Sequence, residues 1–143
     1  MNLPLNFEEY IKKGIVKKAS SNKPRAEFLI NESEKSLRGL NKRIEIMGFD
    51  DDNANSIIKD CYDIIMELIR AKMLLLGFNS CGQYAHESEV SYSKIIGLND
   101  NEVSFLNDLR YFRNSITYYG KILDSNYAKQ VFEFMKKIQQ KLK

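Results

Sequence analysis

Apolar residues recur at spacings of three and four along much of the chain. Ala26, Leu29, Ser33, Leu37, Leu40, Ile44 and Met47 share one face of a helical projection, as do Tyr127, Val131, Phe134, Ile138 and Leu142. From Ile64 onward, Ile65, Met66, Leu68, Ile69, Met73 and Leu74 are apolar almost all round, which predicts the most buried helix. Gly48, Gly77, Gly97 and Gly120 each follow such a stretch, and glycine ends helices because it enters the left-handed conformation without steric cost. Helix starters lie between them: Lys23-Pro24, Asp51 to Asn53, Asn99 with Glu102 three residues on, and Asp124-Ser125. The predicted segments are 24–47, 53–76, 84–96, 100–119 and 125–142, with 84–96 weaker than the rest and expected to be short or irregular. Phe7, Tyr10, Ile11 and Ile15 suggest one more short helix. Nothing alternates with period two for long enough to demand a sheet. Short links between long amphipathic helices predict an all-α fold, an antiparallel up-and-down bundle of four main helices plus short extra ones.

At 143 residues the chain is expected to form one domain, 1–143, in which residues 1–22 supply a short helix and a basic leader packed on the rest. No apolar run approaches the roughly 18 residues of a membrane span. The opening residues lack a signal peptide's apolar region, and Cys61 and Cys81 lack a CxxC spacing, so a reducing cytoplasm is expected. The formal net charge is +3. Lys12, Lys13, Lys17, Lys18, Lys23 and Arg25 occur with no intervening acid, and Lys136, Lys137, Lys141 and Lys143 crowd the other end. Clustered in space, either run would attract phosphates in a salt-dependent way.

The candidate chemistry centres on Arg110-Tyr111-Phe112-Arg113-Asn114-Ser115-Ile116-Thr117-Tyr118-Tyr119-Gly120. This stretch resembles the signature of HEPN domains: an Arg-Asn pair, a short spacer, then usually a histidine, where this chain has Tyr118. The run from Ala54 to Gly77 looks like that family's central helix. Ser80-Cys81-Gly82-Gln83-Tyr84-Ala85-His86-Glu87 resembles a segment common among its prokaryotic, especially archaeal, members. The leader from Phe7 through Arg25-Ala26 is similar to that of the same archaeal subgroup, so the likeness spans most of residues 5–140.

The resemblance implies a helical homodimer whose Arg-Asn motifs face a shared cleft. Active members are metal-independent endoribonucleases in which Arg and His act on the phosphodiester and the 2′-hydroxyl. Others pair with a minimal nucleotidyltransferase as toxin–antitoxin systems, or serve as binding modules. Carried onto this chain, it makes Arg110, Arg113, Asn114, Tyr118 and Lys121 the candidates for contact with RNA or a nucleotide. Arg113, Tyr118 and His86 are the candidates for catalysis. No cofactor is implied.

Helix geometry examines the motif independently. With Leu109 at zero, 100° per residue turns Phe105, Phe112 and Ile116 toward the core. Arg113 falls at about 40°, flanking that face, where pairing with Asp108 or Glu67 is the structural alternative to a ligand role. Tyr118 lies about 140° from Arg113, so the two meet only through a helix break or across a dimer axis. A phenol titrates near 10, a poor match for proton transfer at neutral pH, which argues for weak or absent cleavage. His86 is the only histidine. Its plain reading is a structural residue bonded to a carbonyl or a nearby acid; its functional reading is a surrogate acid–base group. Cys81 and His86 have no further His or Cys nearby to complete a zinc set. The rival functions are RNA or nucleotide binding, metal-independent cleavage by Arg113 with Tyr118 or His86, and a non-catalytic dimeric interaction module.

Overall fold

The computed structural model describes residues 2–115 and 123–143. Over these residues the chain is all-α, with six helices and one small sheet. In order they are α1 (Phe7–Lys12), β1 (Val16–Lys18), α2 (Lys23–Met47), α3 (Ala54–Leu75), β2 (Phe78–Ser80), α4 (Ala85–Ile95), α5 (Asp100–Ser115) and α6 (Ser125–Leu142).

α2, α5 and α6 begin with side-chain caps, whereas Asn53 before α3 makes no side-chain cap bond. The Asn22 side chain accepts from Arg25 N at 3.2 Å, and that of Asp124 accepts from Tyr127 N at 2.9 Å. Asn99 and Glu102 form a reciprocal capping box, with bonds of 2.9 and 2.8 Å between each backbone N–H and the other's side chain.

α3 is the centre of the molecule and packs against α2, α4, α5 and α6. Its apolar residues point in every direction because neighbours surround it: Ile57, Ile58, Cys61, Ile65, Ile69 and Met73 are all buried. Amphipathic α2 and α6 each offer α3 one stripe, although Met47, at the end of the α2 stripe, is exposed. No helix of the described residues is long and apolar enough to cross a membrane.

Two features depart from the sequence pattern. β1 and β2 pair antiparallel, Val16 opposite Ser80 and Lys18 opposite Phe78. Strands of three residues are too short to show a period of two. Their pairing comes from the chain doubling back beside the end of α3, where Ala19 N donates to Gly77 O at 2.7 Å. Gly77 sits at φ +81°, and a Cβ there would come within 2.0 Å of the Ala19 carbonyl oxygen. Segment 84–96 is short, as expected, but not irregular: α4 is an 11-residue regular helix with every residue from Ser88 to Ser93 buried. It lies against α1, α3 and α5, and its serines enter the core by turning their hydroxyls to carbonyls: Ser88 to Ala85 O, Ser93 to Val90 O, Ser91 to Leu5 O. Polar lettering hid a core helix.

Candidate nucleic-acid interface

α5 carries the Arg-Asn motif. Leu109 and Phe112 are buried and Phe105 is partly buried along its inner face, as the helical projection predicts, while Ile116 lies outside the described residues; Leu106 is buried beside them. Arg113 and Asn114 follow at its far end, and both are exposed. The partner of Arg113 is neither Asp108 nor Glu67 but Asp63 of α3, with Nε 3.2 Å from Oδ1 and both side chains nearly half exposed. Arg113 is therefore more open than its place on the flank of the core suggests.

The buried arginine is Arg110, whose side chain is only 12 % exposed. Its Nε and Nη2 donate to Asn107 Oδ1 at 3.1 and 3.0 Å, and Nη2 lies 3.6 Å from Glu87 Oε1. Glu87 Oε2 accepts from the Tyr10 hydroxyl at 2.8 Å, and that hydroxyl accepts from Leu5 N at 2.9 Å. Asn107 Nδ2 donates to Asn2 O at 2.9 Å. Arg110 thus joins, by hydrogen bonds and one ion pair, α4, α1 and residues 2–5, and its guanidinium also lies 4.5 Å from the Tyr111 ring. Burial, then the bond to Glu87, raises the Tyr10 phenol and keeps it a donor.

His86 lies at the start of α4, half exposed, with Nδ1 3.4 Å from Glu89 Oε1. Glu89 is 1 % exposed and also receives Arg70 and Ser80. Burial alone would raise its carboxyl, but the bonds from His86, Arg70 and Ser80 and the charge of Arg70 hold it below its ordinary value. Tyr62 of α3 has its ring 6.4 Å from that of His86 and a buried hydroxyl without a hydrogen-bond partner among the described residues. Burial first, then the charge of Glu89, raises that phenol. Beside the Arg113–Asp63 pair, a cleft of about 250 Å³ between α2 and α3 is walled by Arg43, Asp60, Asp63 and Glu67. Burial, helped by the charge of Asp63, raises the Glu67 carboxyl.

Of the sequence candidates, Arg113 and Asn114 come together at an open edge. Arg110 is turned into the fold, and His86 pairs with Glu89. Tyr118 and Lys121 lie outside the described residues, as do Tyr119 and Gly120, so the relation of Tyr118 to Arg113 is outside them too. Sequence reasoning did not single out Asp63, Glu87, Asn107 or Tyr62. Asn107 had a signal, one turn before Arg110 on the same face. Tyr62 had none, because a tyrosine on the apolar face of α3 reads as packing. Among the described residues no three His, Cys, Asp or Glu side chains are grouped to hold a metal ion. Cys61 is buried, which pushes its thiol up to about 12, while Cys81 is exposed.

No family model matches this chain, and no curated protein matches it.

Proposed function

We propose that this protein binds RNA or a nucleotide in the manner of HEPN domains, through Arg113 and Asn114, with cleavage weak or absent. The observation that carries the reading is the openness of the Arg113–Asp63 pair. An ion pair with both members nearly half exposed contributes roughly 0–1 kcal/mol, so a phosphate can take the guanidinium from Asp63 at little cost. The exposed Asn114 amide, which makes no hydrogen bond to a described residue, supplies a neighbouring donor and acceptor. The cleft on the acidic side of Arg113 repels phosphate, so the ligand approaches from the outer side of α5. Arg110 supports the motif from within rather than contacting the ligand. The same reading includes Tyr118 and Lys121 as ligand contacts, a two-fold homodimer joining two motifs, residence in the cytoplasm, and a toxin–antitoxin or defence role with a minimal nucleotidyltransferase as partner.

Binding and cleavage of labelled structured and single-stranded RNAs test this together. Wild type is expected to bind and not cut at pH 7, and Arg113→Gln to bind more weakly while staying folded. Undiminished binding by folded Arg113→Gln overturns the assignment.

One observation favours the enzyme alternative. Glu89 holds His86 at Nδ1, which leaves Nε2 directed away from the carboxylate, the arrangement of an oriented general base. EDTA-resistant cleavage lost in His86→Ala would establish that reading instead.

A further inference from the structure

The two lysine runs look alike in the sequence and differ in the fold. At the C-terminal end three of the four lysines have acidic partners: Lys136 pairs with Glu133 at 3.1 Å, and Lys137 and Lys141 share Glu102 at 3.4 and 2.6 Å. The run from Lys12 to Arg25 is not neutralised. It passes from the end of α1 through β1 to the first turn of α2, and all six cations are exposed. Lys12 has a 3.5 Å contact with Glu9, but Lys13, Lys17, Lys18, Lys23 and Arg25 form no ion pair with a described residue. These residues hold six cations and no acid, and the chain totals +3, so everything outside them sums to −3. The positive excess of the molecule therefore lies in the exposed side chains of one short stretch of chain around β1.

We infer that this surface, Lys13, Lys17, Lys18, Lys23 and Arg25 around β1, is the main docking site for the phosphate backbone of single-stranded RNA. The inference rests on the nucleic-acid reading above in its choice of ligand, not in its choice of residues. Lys18 also lies 5.3 Å over the Phe78 ring, which fixes one cation at the β1–β2 pair. The residues between the cations favour RNA over a membrane. Val16 is buried, Ile15 is partly buried against the core, and Ala19, Ser20, Ser21 and Asn22 are small or polar, so the run has no large apolar side chain to insert into a bilayer. The surface is also within reach of the motif. Asn22 N bonds Leu74 O at the end of α3, and Asp63, which holds Arg113, lies eleven residues earlier, roughly 16 Å along that helix at 1.5 Å per residue. A strand of a few nucleotides spans that distance.

The test titrates the full chain with a fluorescein-labelled oligouridylate of about twelve nucleotides over a range of salt. It compares wild type, Lys17→Gln/Lys18→Gln and Arg113→Gln, each checked for folding by circular dichroism. The double variant is expected to lose about tenfold in affinity at low salt. Its plot of log K against log salt should be flatter by about 1.4, the counterions of two phosphate contacts. Unchanged affinity and slope in the double variant, with loss only in Arg113→Gln, overturns the surface and leaves the motif standing. Loss only in the double variant supports the surface and removes the motif. Failure of wild type to bind at low salt overturns both. A parallel arm uses vesicles of phosphatidylserine and phosphatidylcholine, and lysine-dependent binding to these without binding to the oligonucleotide overturns the choice of RNA.

Discussion

Arg70 and Glu89 are joined by two parallel hydrogen bonds, Nε to Oε2 at 2.7 Å and Nη2 to Oε1 at 2.9 Å. This fork ties α3 to α4. The same carboxylate takes the Ser80 hydroxyl of β2 at 2.8 Å, so one buried group fastens three elements. Removing Arg70 strands a carboxylate that is 1 % exposed. Arg70→Met is expected to destabilise the fold by about 3 kcal/mol, read as a lower urea midpoint at unchanged slope. A loss below about 1 kcal/mol would show that Ser80 and His86 suffice.

The depressed carboxyls of Glu89 and Glu102 set the response to acid. Burial opposes the charge of Glu102, but Lys141, Asn99 and Lys137 outweigh it. A carboxyl lowered in the native state stabilises the fold above its unfolded value, and that contribution disappears as pH falls through the native one. Glu67, raised, works the other way and is relieved by protonation. The thermal midpoint is therefore expected to fall below about pH 4.3. Glu89→Gln should lie below wild type at pH 7 and converge with it in acid; a constant gap across that range would contradict the linkage.

Gly77→Ala combines a positive φ with a clash against the Ala19 carbonyl. The expected cost is about 1–3 kcal/mol. Faster amide exchange at Ala19, whose N–H bonds the Gly77 carbonyl, should accompany it, and an unperturbed Ala19 amide would refute the account.

Two arginines three residues apart should behave differently. Arg113→Gln removes an exposed ion pair and is expected to change stability by less than about 1 kcal/mol. Arg110→Gln breaks a largely enclosed network with Asn107 and Glu87, at a cost of about 2 kcal/mol or more. Equal effects in chemical denaturation would mean that the two sites are not divided between ligand and fold.

Tyr62→Phe deletes a buried hydroxyl that has no hydrogen-bond partner among the described residues. Stability should stay level or rise, since a polar group is no longer buried without compensation. A clear loss in the thermal midpoint would reveal a partner for that oxygen.

The spacing of apolar residues and the capping signals by themselves determined the all-α class and the bounds of α2, α3 and α6 to within a residue or so. These are local properties: a stripe at 3.6 residues and a side chain that caps a free N–H act within a few positions. Neither property marked Arg113-Asn114, which stood out only through a resemblance to HEPN domains. Only the tertiary structure decided that Asp63, fifty positions away, is the partner of Arg113, and that Arg110 is buried while Arg113 stays open. It alone recognised α4 as core, because Ser88, Ser91 and Ser93 read as surface until neighbouring carbonyls satisfy them. It alone separated the two lysine runs. Whether a charge is neutralised depends on which acids the fold brings beside it, and Glu102 reaches Lys137 and Lys141 only once α5 and α6 are in place.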